Sequence, residues 1–196
     1  MLLQAAFMEI HRMGYQAASL QNILKNTGLT KGALYHHFPN KKSLGYAVLD
    51  EIIRGILITE WVDPLQGTKN PIDALIKTIK DVSKKLTQED IELGCPLNNL
   101  AQEMSPIDPV FCEKISTIYT EWREAIEQAL EQGKTNNTVK KDVHSQQVAI
   151  VFTATLEGCM GMAKNAQSME LLLHCGQGLI TLLDTLRPNT QQENEI

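Results

Sequence analysis

Residues 19–44 spell two short helices with almost nothing between them. Ser19 is a helix N-cap residue, and Leu20, Ile23 and Leu24 put an apolar stripe on the helix that follows. Gly28 stops that helix in a left-handed turn, and Thr30 caps a second one two residues later. The second helix carries Lys31, Tyr35, His36 and His37 on an otherwise apolar frame until Pro39 ends it. Two short helices joined by a tight turn that contains glycine form a helix-turn-helix, the geometry that seats a second helix in the DNA major groove. Leu34 and Phe38 are expected beneath it, in the core.

Helical periodicity continues to the end of the chain, and no period-two strand pattern interrupts it. Leu2, Leu3, Ala6, Phe7 and Ile10 make the first stripe. A fourth helix is expected from Asn40 to about Trp61 on the stripe Leu44, Val48, Ile52 and Ile56. Ile72 to Leu86 gives another, 87–96 reads as a loop, and a short helix covers Leu97–Met104. Asp108 at the N-cap with Pro109 behind it opens a long helix to Gly133. Asp142 is expected to cap the next, and a last helix carries Leu172, Cys175, Leu179, Leu182 and Leu186. The tail Asn189–Ile196 is expected to fray. The fold class is therefore all-α with about nine helices. Residues 1–45 form a three-helix helix-turn-helix domain, and 46–196 form a larger helical domain.

Charge divides along the same boundary. Residues 1–45 carry five basic side chains against Glu9 alone, while the remainder carries 13 basic and 22 acidic ones. A basic module on an acidic body is the footprint of a protein that meets DNA through one end. No apolar run reaches the length of a membrane span, and the N-terminus lacks the charged start of a secretory signal. The four cysteines, at 95, 112, 159 and 175, show no close spacing. They read as buried structural thiols in a reducing cytoplasm rather than a disulfide framework.

The order Ser19, Ile23, Gly28, Leu29, Thr30, Gly32, Leu34-Tyr35, His37-Phe38, Lys41, Leu44 resembles the signature of the TetR family of bacterial transcriptional regulators. Ala5-Ala6-Phe7 and Gly14-Tyr15 resemble that family's first helix and its terminating glycine. Leu24 and Thr27 stand where the family usually has alanine, and the basic arm many relatives carry before the first helix has no counterpart here. The resemblance implies a homodimer on a palindromic operator in double-stranded DNA and a C-terminal domain that takes a small organic effector and releases the DNA. Matched to the family motif, Tyr35, His37 and Lys41 contact phosphates, and Lys31, Gly32, Ala33 and His36 lie nearest the base edges. Ser19 and Thr30 complete the DNA-binding set as the caps of the two helices. Effector binding is expected to shift the helix over about 41–61 and so change the separation of the recognition helices.

The cavity such a domain encloses is expected among Trp61, Asn98, Asn99, Gln102, Tyr119, Trp122, Thr155 and Glu157, the large or polar residues on inward stripes. Each has a plainer reading: Trp122 as core, Asn98 and Asn99 as helix bridges, Glu157 as a buried hydrogen-bonded group or a surface charge. Dimerisation is expected through Val151, Thr155, Gly158 and Met162 on one helix and Leu172, Cys175, Leu179 and Leu182 on the last, an isologous four-helix interface.

Enzymatic readings find no constellation. Gly176-Gln177-Gly178 lies inside a helix rather than after a strand, and no serine sits on an elbow motif. His174 and Cys175 are adjacent on a helix and diverge by about 100°, which is no metal site. The chain reads as a DNA-binding regulator, a repressor, with no enzymatic activity, cofactor or metal. The competing reading is a helical protein-interaction module that keeps the fold without specific DNA binding. A salt series separates the two, because DNA binding weakens steeply with salt.

Overall fold

The computed structural model describes residues 1–25 and 27–188. The expected fraying of Asn189–Ile196 lies outside the described residues. The elements are α1 (Leu2–Met13), α2 (Leu20–Lys25), α3 (Lys31–His37), α4 (Lys41–Ala47), a π-helical stretch (Val48–Ile53), α5 (Arg54–Leu57), a second π stretch (Ile58–Val62), α6 (Pro71–Lys85), α7 (Gln88–Leu93), α8 (Pro96–Met104), α9 (Pro109–Thr135), α10 (Ser145–Ala166) and α11 (Met169–Asp184). Among the described residues there is no strand. No described helix is long and apolar enough to cross a membrane.

The chain packs as two compact units. The first holds Met1–Leu57 together with Leu93–Tyr119, so α8 and the first turns of α9 pack with the N-terminal helices. Its core is built from Ala6, Ile23, Leu34, Leu44, Leu49, Leu97 and Phe111, each nearly or fully buried. Phe111 is central: its ring meets Tyr15 and Tyr46 edge-on, both at 4.8 Å between centroids. Gly45 is required beside it, since a Cβ there would lie 2.5 Å from Tyr15 Cε2 and 2.9 Å from Phe111 Cζ.

The second unit holds Ile58–Glu92 and the described residues from Thr120 onward. Here α10 and α11 form an antiparallel pair around Gln167, whose φ of 51° is a left-handed helix stop. α6 packs on α11, and Arg187 holds the end of that pairing through Asp73 at 2.6 Å and Asp184 at 2.8 Å.

Four expectations are corrected. The long helix after Asn40 does form, but its buried stripe is Leu44, Val48, Leu49, Ile53 and Leu57, not Ile52 and Ile56. The π stretch widens one turn and moves the inward face on by one residue, so that Ile56 is 44% exposed. Residues 88–93, expected as loop, are helical because Thr87 and Asp90 make a reciprocal cap: Thr87 N–H donates to Asp90 at 2.7 Å, and Asp90 N–H donates to Thr87 Oγ1 at 3.3 Å. α10 starts at Ser145 with His144 as its N-cap, two residues beyond the expected cap Asp142. Finally, Cys159 and Cys175 are not free thiols; they form a disulfide between α10 and α11, with Cα atoms 6.0 Å apart. Cys95 and Cys112 carry no disulfide.

Candidate nucleic-acid interface

The reading module is built by local caps. Ser19 Oγ accepts from Asn22 N–H, and Glu9 of α1 accepts from both Ser19 N–H and Asn22 Nδ2 at 3.0 Å, fixing the start of α2. Gly28 turns the chain at a φ of 66°. Thr27 buries its hydroxyl with both functions satisfied: it donates to Leu24 O and accepts from Leu29 N–H. Thr30 then caps α3 by accepting from Ala33 N–H at 3.2 Å. Leu34 is fully buried under α3, while Lys31, Gly32, Tyr35, His36 and His37 are exposed and Ala33 is half-buried. Lys31 Nζ lies 5.8 Å from the Tyr35 ring centroid, so a cation and a phenol share one patch of the exposed face. Phe38 is half-buried at the end of α3.

The two lysines of α4 are engaged within the unit. Lys41 Nζ donates to Gln16 O at 3.0 Å and stands 5.0 Å from the Tyr15 ring centroid; burial lowers its pKa. Glu103 of α8 accepts from Tyr15 N–H at 2.8 Å and Gln16 N–H at 2.7 Å, clamping the turn after α1. Lys42 pairs at 2.8 Å with Asp108, a buried carboxylate that also accepts the Tyr46 hydroxyl and caps α9 through Phe111 N–H. The Lys42 ammonium, with the Phe111 N–H and Tyr46 hydroxyl behind it, holds the Asp108 carboxyl down to about 2, against the opposing effect of burial. Tyr15 is pushed up to about 12, chiefly by burial. Sequence reasoning finds Asp108 only as a cap; its side-chain partners Tyr46 and Lys42 lie far back along the chain, Tyr46 by 62 residues, and leave no local signal.

Because the folded pKa of Asp108 lies below the ordinary carboxylate value of about 4, its contribution to stability is complete above that value. It is lost as pH falls toward about 2. The urea midpoints of the wild-type chain and Asp108→Asn should differ by a constant amount from neutrality to mild acid, draw together below about pH 4 and converge only near about pH 2. A difference that did not narrow in acid would remove the ionised carboxylate as its cause.

The expected effector residues divide between the units. Asn98, Asn99, Gln102 and Tyr119 belong to the first, and Trp61, Trp122, Thr155 and Glu157 to the second. Asn99 Nδ2 donates to Leu93 O at 2.7 Å and Gln102 Nε2 to Asn98 Oδ1 at 3.4 Å, the plainer role of bridging their own segment. Trp61 and Trp122 do meet, at 5.5 Å between centroids, and Trp61 also meets Phe152 at 6.1 Å. Phe152 escaped sequence reasoning because it looks like any aliphatic-helix core residue. Trp122 Nε1 and Thr153 Oγ1 are buried without a hydrogen-bond partner among the described residues. Thr155 and Glu157 are half-buried. A separate open cleft of about 320 Å³ in the first unit is lined by Asp50, Arg54, Val110, Glu113, Lys114, Thr117 and Ile118, none of them an expected effector residue. Lys114 and Asp50 pair within that lining at 2.6 Å.

The expected dimer residues also sort by exposure. Val151, Gly158, Met162 and Leu182 are exposed on α10 and α11; Ile150 and Leu173 are also exposed but point to other sides of their helices, Leu173 standing about two and a half turns from Leu182. Thr155, Leu172 and the disulfide-bonded Cys175 are half-buried, whereas Leu179 is 3% exposed and belongs to the unit's own core.

Residues 2–48 match the model of the N-terminal domain of bacterial regulatory proteins of the tetR family, and residues 71–178 match the C-terminal domain of LmrA/YxaF-like transcriptional regulators. The HTH-type transcriptional regulator LmrA of Bacillus subtilis is 28% identical over 184 residues, covering 93% of this chain and 94% of its own. The HTH-type transcriptional repressor DhaR of a Mycobacterium species is 24% identical over 185 residues, covering 91% and 86%. Among solved structures, a TetR transcriptional regulator from Chloroflexus aurantiacus superposes with a TM-score of 0.80 at 25% identity, covering 93% of this chain and 92% of that one.

Proposed function

Since the chain belongs to the TetR family of bacterial regulatory proteins, we propose that it is a ligand-responsive DNA-binding repressor acting on a palindromic operator as a homodimer. Residues 1–45 are the DNA-binding domain and 46–196 the effector-binding and dimerisation domain. The observation that carries this reading is α3: a helix capped by Thr30, anchored by buried Leu34, with Lys31, Tyr35, His36 and His37 on its exposed face. Lys31 and His36 read base edges with Gly32 and Ala33; Tyr35, His37 and Lys41 hold phosphates. Lys41 must leave Gln16 O to do so, or reach phosphate from that position. Such a regulator works in the cytoplasm, where the DNA is.

The exposed apolar face of α10 and α11 is the dimer surface, since two copies of it would cover each other about a two-fold axis. In that dimer the two copies of α3 must stand about one DNA turn, roughly 34–36 Å, apart. The effector, a small organic molecule, binds beside Trp61 and Trp122, where the partnerless indole N–H offers a donor to an acceptor on the ligand. It releases DNA by favouring the conformation that binds DNA less well.

Phosphate and base contacts separate by experiment. Lys41→Ala and Tyr35→Phe should weaken specific and nonspecific duplexes alike, with Lys41→Ala flattening the salt slope by about one unit. Lys31→Ala and His36→Ala should instead relax preference at particular base pairs, by about 1–3 kcal/mol where a good contact is lost. Retention on DNA that ignores salt would overturn the DNA-binding reading in favour of a protein-interaction module.

A further inference from the structure

We propose that Asp108 is the positioning residue that makes α9 and the DNA-reading module move as one body, its carboxylate fastening the first turns of α4 and α9 together. The inference rests on the reading of the chain as a DNA-binding regulator and adds to it the contact through which bound DNA is felt on the first turns of α9.

Asp108 is 3% exposed, and both of its oxygens are occupied. Oδ1 accepts Val110 N–H at 3.0 Å, Phe111 N–H at 3.1 Å and the Tyr46 hydroxyl at 3.0 Å. Oδ2 accepts the same hydroxyl at 3.1 Å and pairs with Lys42 Nζ at 2.8 Å. One carboxylate thus holds the N-terminus of α9 and two side chains a helical turn apart on α4. Capping needs only the first pair of bonds, which asparagine or serine would make equally well. The Lys42 and Tyr46 contacts exceed that need. Lys42 is an exposed side chain that water could satisfy, yet it is drawn onto a buried anion.

Such a knot does not stretch. Charge-assisted hydrogen bonds near 2.8 Å weaken steeply with misalignment, and separating the partners strands a charge in a water-poor site. A slide of α9 past α4 by an ångström or two must therefore either break the knot or carry α4 along. What α4 carries is the reading helix: only Phe38, Pro39 and Asn40 lie between α3 and α4. At its other end α9 is continuous for 27 residues, and beyond Tyr119 its buried side chains, Trp122, Ile126 and Leu130, belong to the second unit. A helix transmits axial displacement with little loss along the turns that pack within the first unit. The ring contact of Tyr46 with Phe111 supplies ordinary packing in the same place, which removal of the polar knot leaves intact.

The coupling is reciprocal, so DNA must be felt at α9. The test is amide hydrogen exchange, with and without a saturating duplex recovered by in vitro selection on the wild-type chain. DNA should slow exchange in α2–α3 and also over 110–119, the latter by about fivefold or more. In Lys42→Met/Tyr46→Phe, which leaves the α9 cap untouched, the change over 110–119 should fall below about twofold while α2–α3 stay protected. Lys42→Arg, which restores a cation, should keep the wild-type response. A merely structural role would raise exchange equally with and without DNA and leave that ratio unchanged. The proposal is overturned if the double variant keeps the full response, or if DNA protects α2–α3 in the wild-type chain and leaves 110–119 unaltered. Failure to recover any duplex would overturn the DNA-binding reading and the proposal with it, a result distinct from those two.

Discussion

Phe111→Ala should cost the first unit about 3–5 kcal/mol, the usual toll of emptying a buried phenylalanine site. The ring is fully buried and lies against Tyr15 and Tyr46, so the cavity would be walled by rigid aromatics that cannot collapse into it. Natural domains are stable by only about 5–15 kcal/mol. A loss of this size should lower the urea midpoint sharply and abolish operator binding near the growth temperature, although no DNA contact is touched. Cys112→Ala is the control. Its side chain is exposed one position further along α9, and its effect should stay within about 0.5 kcal/mol. Equal midpoints for the two variants would show that the cluster around Phe111 is not what holds the reading module together.

Val151→Glu/Leu182→Glu should give a folded monomer whose affinity for a palindromic duplex falls by about 100-fold or more, because the second half-site no longer binds intramolecularly. Both side chains are more than half exposed on the apolar face of α10 and α11, so in a lone copy the glutamates stand in water. Helical circular dichroism should persist, and sedimentation should report one chain. Leu179→Glu, in the core, should instead unfold the second unit. If the double variant still sediments as the wild-type chain does, the dimer surface lies elsewhere.

The reading module was legible in the sequence because its information is local. Thr30 caps α3 by accepting an N–H three residues away, Gly28 takes the one turn conformation that suits it, and Leu34 repeats the apolar stripe. Asp108 was half legible: its cap is a neighbour effect, and its hold on Lys42 and Tyr46 is a product of tertiary folding. The cysteine pairing follows a different rule from the short spacings that mark disulfides in a sequence. Cys159 and Cys175 each stand eight residues from Gln167, so a hairpin folded there brings them level. That symmetry shows only once the stop at Gln167 is known, and Gln is an unusual residue in a left-handed turn. The Trp61–Trp122–Phe152 cluster needs three helices to meet, and periodicity names each inward face without saying which faces touch. Leu179 was misjudged for the same reason: a 3-4 seam shows that a face is buried, not what buries it.

The π stretch at Val48–Ile53 bears on how this chain can drift in length. A regular helix cannot lose a residue from its middle without turning everything downstream by about 100°. Here one turn already holds a residue more than an α-turn requires, with Leu44 and Ile53 inward on either side. Dropping exposed Glu51 would let that turn relax to the ordinary pitch and leave Ile53 and Leu57 facing as they do now. Insertions and deletions, which homologous chains usually confine to loops, can therefore accumulate inside this helix, and aligned relatives should show gaps there.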